Sequence, residues 1–138
     1  MAETKGEMMP DNSKKKILLV DDDIVSLTVA EAMLTDTYDV TTAKSGKDAL
    51  FLMLHDYKPD LILLDLIMPE MDGWEAYHKI KGIGILNSIP IAFLTSVTDE
   101  DKIKLSQQIG AADYITKPYD RGNILNRIEI ILNSKNVA

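Results

Sequence analysis

The stretch ILLVDDDIVSLTVAEAML, residues 17–34, carries two textures joined by three acids. Ile17 to Val20 form an unbroken apolar run of strand length, and from Ile24 onward apolar residues recur three or four positions apart, the period of a helix. Val25, Val29, Ala32 and Met33 define the face expected to pack inward. Asp23 stands at the junction, suited to cap a helix that starts near Ile24. The same alternation continues down the chain. Leu61 to Leu64 and Ile91 to Leu94 are further apolar runs, and Tyr38 to Thr42 and Tyr114 to Thr116 are weaker ones. Ile124, Leu125, Ile128, Ile131 and Leu132 mark the inner face of a last helix that ends near Asn133. Ser45 with Asp48, Thr98 with Asp99, and Asp120 offer capping oxygens, while Gly110 stands where a helix end favours a left-handed residue.

Five strands therefore alternate with five helices. Parallel neighbours need crossover connections, and near-continuous apolar strands are covered on both faces. The expected class is α/β, a parallel sheet in a three-layer sandwich over residues 14–133. Residues 1–13 are polar and aperiodic, a flexible lead-in, and 134–138 are a short tail. Lys14, Lys15 and Lys16 read as a solvated entry to the first strand.

Composition narrows the function. The chain has 138 residues, 46% of them hydrophobic and 27% charged, enough for one well-packed domain. Fifteen Lys and Arg against 22 Asp and Glu give a net charge of −7, which disfavours direct nucleic-acid binding. The absence of cysteine removes disulfide scaffolds, thiolate metal sites and cysteine nucleophiles. No apolar run approaches the ~20 residues that cross a bilayer, and the first residues lack the apolar stretch of a signal peptide. A cytoplasmic protein that neither spans nor binds a membrane is expected.

In a parallel sheet the chemistry lies beyond the carboxyl ends of the strands. There stand Asp21, Asp22 and Asp23 after the first strand, Asp65 after the third, Thr95 and Ser96 after the fourth, and Lys117 with Pro118 after the fifth. If the first and third strands are neighbours, several carboxylates share one edge. Two unit charges ~4 Å apart repel by roughly 4 kcal/mol at an effective dielectric of about 20, so the cluster calls for a cation or for raised pKa values. Oxygen-only ligands point to a hard ion such as Mg²⁺. A hydroxyl and an ammonium converging there would suit a phosphoryl group.

Four stretches, ILLVDDD (17–23), LILLDLIMPEMDG (61–73), PIAFLTS (90–96) and GAADYITKPY (110–119), resemble the receiver domain of two-component response regulators. The resemblance implies a flavodoxin-like fold with strand order 2-1-3-4-5. It makes Asp65 the phosphoacceptor that attacks a phosphohistidine. Asp22 would ligate Mg²⁺ directly and Asp21 mainly through water, with the Ile67 backbone carbonyl as a further ligand. Thr95 would hydrogen-bond the phosphoryl oxygens and Lys117 would pair with carboxylate or phosphoryl. Tyr114 matches the aromatic switch, turning inward when Thr95 moves toward the phosphate. The implied partners are a histidine kinase or histidine phosphotransfer protein, then a downstream target or output domain, with a phosphorylation-dependent homodimer as one output. Such a domain promotes its own phosphorylation and dephosphorylation and is not an enzyme on a separate substrate. The flanking side chains Ile67 and Val97 are apolar and cannot orient a water, which implies slow self-hydrolysis. Tyr119 occupies a position where the family often has phenylalanine.

Two rival readings share these residues. Asp21, Asp23 and Val25 fit the opening motif of haloacid-dehalogenase-like phosphohydrolases, in which Asp21 would be the nucleophile. After Lys117, however, only Asp120 and Glu129 remain to supply that family's downstream acids. The other rival is a phosphate-independent interaction module on the same fold. His55 and His78 read as surface residues and Trp74 as packing cover. The glycines of Gly82 to Asn87 lack the lysine and spacing of a phosphate loop.

Overall fold

β1 (Lys16–Val20), from Ile17 onward, and β3 (Leu61–Leu64) are apolar because both run through the middle of a sheet with helices on each face. A computed structural model describes residues 14–135, so the lead-in expected at 1–13 and the end of the expected tail, 136–138, lie outside the described residues. Around these two strands the chain adds α1 (Ile24–Leu34), β2 (Asp39–Ala43), α2 (Gly46–Leu54), α3 (Gly73–Lys81), β4 (Ile91–Thr95), α4 (Glu100–Gln108), β5 (Asp113–Thr116) and α5 (Arg121–Lys135). A 3₁₀ turn, Gly84–Leu86, links α3 to β4. The sheet is parallel throughout with order β2-β1-β3-β4-β5, the topology that the sequence resemblance implies.

Alternation along the strands divides the interior in two. Leu18, Val20, Ile62, Leu64 and Phe93 face α2 and α3, meeting Ala49, Met53, Ala76, Tyr77 and Ile80. Ile17, Leu19, Leu61, Leu63, Ala92 and Leu94 face α1 and α5, meeting Leu27, Ala30, Leu34, Ile124, Ile128, Ile131 and Leu132. Caps fall where the polar residues promised them. Asp23, Ser45 and Asp99 each accept a backbone N–H from the helix that follows, Asp120 accepts from Asn123, and Gly110 takes φ +91° after α4; Asp72, not among the expected caps, does the same for α3.

One expectation fails. Val25 and Val29 are 69% and 45% exposed and Ala32 is also exposed, with Met33 half-buried. The face of α1 that meets the sheet is Leu27, Ala30 and Leu34. The helix is apolar on both sides, so period alone names two stripes, and the crossover from β1 decides which one is buried. The last helix buries Ile124, Ile128, Ile131 and Leu132 as expected, with Leu125 half-buried, and it continues to Lys135, past the expected stop near Asn133.

Register carries the fold into the site. Val20 pairs with Leu64 and Leu64 with Phe93, while Thr95 pairs with Thr116. The residues that follow are therefore side by side. Hydrogen bonding extends one step past the strands: Asp21 N donates to Ala43 O at 3.1 Å, Asp65 N to Val20 O at 2.9 Å and Lys117 N to Thr95 O at 2.9 Å. Each chemistry-bearing residue thus leaves the sheet from a fixed backbone.

Candidate functional site

Carboxylate oxygens of Asp21, Asp22 and Asp65 lie within 4.8 Å of one another. Asp21 and Asp65 are buried and Asp22 is exposed, which gives the cluster an inner wall and an open side. All its donors are oxygens, and partial exposure leaves room for retained waters, so the set fits a hard divalent cation. Asp21 is oriented at both oxygens: Oδ1 accepts from Asp23 N at 2.9 Å and Oδ2 from Lys117 Nζ at 2.6 Å.

Lys117 leaves β5 at a cis peptide bond to Pro118. Its ammonium reaches across the sheet edge and stands 3.7 Å from Asp65 Oδ2. It also donates to Ser26 Oγ at 3.2 Å, and Ser26 in turn donates to Asp23 Oδ2 at 3.1 Å. Thr95 is fully buried at the end of β4, and its Oγ1 accepts from Val97 N at 3.3 Å.

These neighbours act on Asp65 in opposite senses. Burial pushes its carboxyl pKa up. The Thr95 hydrogen bond and the Lys117 charge pull it back, the Asp21 charge raises it again, and the Ile67 N–H lowers it. Burial prevails, so the site holds a carboxylate that the fold would rather see neutralised, which a cation, a proton or a covalent bond to one of its oxygens could each do.

The loop after Asp65 is shaped by α3. Gly73 N donates to Leu66 O at 2.8 Å, and a Cβ on Gly73 would stand 2.3 Å from the Asp65 carbonyl oxygen. Only glycine lets the helix come this close. Glu70, at φ 68°, turns the chain through the left-handed region just before. Ile67 is 62% exposed beside the cluster and Val97 is half-buried across from it, both apolar.

Tyr114 lies inward. It is buried, its hydroxyl donates to Val97 O at 2.6 Å, and its ring packs on Phe93 at 6.2 Å between centroids. The inward position expected to follow phosphorylation is thus adopted while Asp65 is a free carboxylate. Burial, with the Asp99 and Asp65 charges behind it, raises the Tyr114 pKa and keeps the hydroxyl protonated as a donor. Arg127 of α5 donates to the Tyr114 carbonyl at 3.0 Å and pairs with Asp113 at 3.6 Å, tying α5 to β5.

The structure brings together Asp21, Asp22, Asp65 and Lys117, sets Thr95 and Ile67 at their edge, and puts Tyr114 behind Val97. His55 and His78 are exposed and are not part of the cluster; His55 stacks on Phe51 with centroids 4.0 Å apart. Trp74 is half-buried against Phe93 at 5.0 Å, as packing cover. Sequence reasoning passed over Ser26 and Gly73. The signal for Ser26 was its place three residues after the capping Asp23, and for Gly73 its place directly after Asp72. No helix among the described residues is long and apolar enough to cross a membrane.

A family model described as the response regulator receiver domain matches residues 17–129. A probable cyclic di-GMP phosphodiesterase of Vibrio cholerae is 36% identical over 127 residues, covering 92% of this chain and 29% of that protein. The alkaline phosphatase synthesis transcriptional regulatory protein PhoP of Bacillus subtilis is 36% identical over 125 residues, covering 90% of this chain and 51% of that protein. The chain thus spans about half or less of the length of these relatives. Among solved structures, the Vibrio cholerae chemotaxis protein CheY4 superposes with a TM-score of 0.79 at 28% identity, covering 86% of this chain and 98% of that one.

Proposed function

Because the chain belongs to the response regulator receiver domain family, we propose that Asp65 is its phosphoacceptor and that the phosphodonor is a histidine kinase or a histidine phosphotransfer protein. The observation that supports this most directly is the convergence of Asp65 with Asp21, Asp22 and Lys117 at the ends of three strands. In the reaction an Asp65 carboxylate oxygen attacks the phosphorus of a phosphohistidine. The P–N bond breaks and the imidazole leaves with the electron pair. Little covalent help is needed, since phosphoryl transfer depends on positioning and on charge stabilisation.

The chain's own residues would supply both. Lys117 offers an ammonium to the phosphoryl oxygens, and Thr95 a hydroxyl at the opposite edge. Asp21, Asp22 and Asp65, with the Ile67 carbonyl, would hold Mg²⁺, which when bound neutralises charge on the transferring group. Conversion to the acyl phosphate removes the buried Asp65 carboxylate charge and adds a dianion facing Thr95. Tyr114, Val97 and the β4–α4 loop then carry the change to α4, β5 and α5. That surface is where a downstream target, an output domain or a second copy would read it. The domain promotes its own phosphorylation and loses the group slowly. We assign it to the cytoplasm, where kinase and Mg²⁺ meet.

The phosphohydrolase reading fares worse. Asp23, which it needs at the reaction centre, caps α1 through Val25 N at 3.1 Å, and Asp65 has no part in it.

The test is incubation with acetyl phosphate and Mg²⁺, followed by mass spectrometry of the borohydride-trapped aspartyl phosphate. Modification of Asp65, lost in Asp65→Asn, is the expected result. Modification of Asp21 would restore the hydrolase reading. A chain left unmodified that still binds a partner tightly would favour the phosphate-independent module.

A further inference from the structure

We propose that Ser26 is a positioning residue for phosphoryl transfer, aiming the Lys117 ammonium at Asp65; this rests on the phosphoacceptor reading of Asp65. An ammonium has three N–H donors and no acceptor. In Lys117 one goes to Asp21 Oδ2 at 2.6 Å and a second to Ser26 Oγ at 3.2 Å. The third is left on the Asp65 side, where Oδ2 at 3.7 Å is beyond hydrogen-bond reach, so that this N–H is free to meet an incoming oxygen.

Ser26 suits this task because it is neutral and cannot turn round. Its own proton goes to Asp23 Oδ2 at 3.1 Å, which leaves its lone pairs for Lys117. Asp23 is in turn fixed as the cap of α1, its other oxygen accepting from Val25 N at 3.1 Å. The relay Lys117 to Ser26 to Asp23 therefore ties the cation to the first turn of α1. A carboxylate at position 26 would compete with the phosphoryl group for the ammonium. An apolar residue would leave the ammonium to swing onto Asp21 alone, away from the acceptor. A hydroxyl fixes direction without competing for charge.

The experiment compares Ser26→Thr with Ser26→Val, two side chains of one shape that differ in the hydroxyl. Both are checked for wild-type thermal unfolding and for wild-type Mg²⁺ affinity, since Ser26 is not in the cation cluster. Acetyl phosphate labelling of Asp65 at saturating Mg²⁺ is expected to slow about tenfold in Ser26→Val, the scale of one hydrogen bond to a charged group, and to return within about twofold of wild type in Ser26→Thr. The Lys117 side-chain ¹⁵N resonance should shift in the valine variant and not in the threonine one. Equal labelling rates in all three chains, or equal losses in both variants, would overturn the role of Ser26 while leaving Asp65 as acceptor. Absence of labelling in the wild-type chain would instead overturn the acceptor reading, and the role of Ser26 with it.

Discussion

The Tyr114 hydroxyl donates to the Val97 carbonyl oxygen at 2.6 Å, so the side chain on β5 holds the loop that joins β4 to α4. That loop carries Val97, whose N–H also meets Thr95 Oγ1 at the acceptor edge. Tyr114→Phe keeps the ring against Phe93 and removes the donor. The expected cost is about 1 kcal/mol in urea unfolding, the scale of one hydrogen bond lost from a half-buried carbonyl. Amide exchange at Val97 to Asp99 should rise while exchange in β1 and β3 stays the same. Unchanged protection of the loop would show that the ring packing alone holds it.

Gly73 and Gly84 make a controlled pair. A Cβ at Gly73 would meet the Asp65 carbonyl oxygen at 2.3 Å and Leu66 Cα at 2.7 Å, whereas a Cβ at Gly84 would meet nothing within 4 Å. Gly73→Ala must push α3 away from the acceptor loop, at a cost of at least about 2 kcal/mol, and Asp65 labelling should fall with it. Gly84→Ala should change stability by less than about 0.5 kcal/mol. Chemical denaturation of the two variants side by side decides the matter.

Asp65 makes stability depend on pH in a definite direction. The fold raises its pKa above the ordinary 3.8, chiefly by burial. The native state therefore holds the proton to higher pH than the unfolded chain does, and stability is lost as pH rises from about 3.8 through the folded value. At neutral pH the full penalty is present. Asp65→Asn removes it, and in metal-free buffer at pH 7 this variant should melt at a higher temperature than wild type. The gap should close as pH falls toward 4. Adding Mg²⁺ should narrow it at neutral pH, because the wild-type chain offers the cation a third carboxylate that the variant lacks.

The strand ends were legible in the sequence because apolar runs stop abruptly at charged residues, and Asp21, Asp65, Thr95 and Lys117 each follow such a stop. Their convergence needed the strand order, which the family resemblance supplied and hydrophobic period could not. Period failed on α1, where Val25 and Val29 compete with Leu27 and Ala30 for the sheet and only the packed structure separates them. Ser26 was illegible for another reason. Its partner Lys117 is 91 residues away, and a lone serine in a first helical turn carries no long-range signal. Gly73 matters through a backbone contact with Asp65 that depends on how α3 approaches the sheet.

Loss of the phosphoryl group from Asp65 should be governed by what flanks it. Hydrolysis requires a water aligned behind the phosphorus, opposite the Asp65 oxygen, and a polar side chain nearby would orient it. Ile67, 62% exposed, and Val97, half-buried, offer only methyl groups there. The phosphorylated chain should therefore persist for minutes to hours after the phosphodonor is removed, followed by mobility shift or by phosphate release. Ile67→Asn adds an amide within reach of such a water at little structural cost, because the side chain already faces solvent, and should shorten the lifetime by about tenfold. Ile67→Val, equally apolar, should leave it unchanged. A wild-type lifetime of seconds would mean that some other group orients the water, and the two apolar flanks would then have no bearing on the rate.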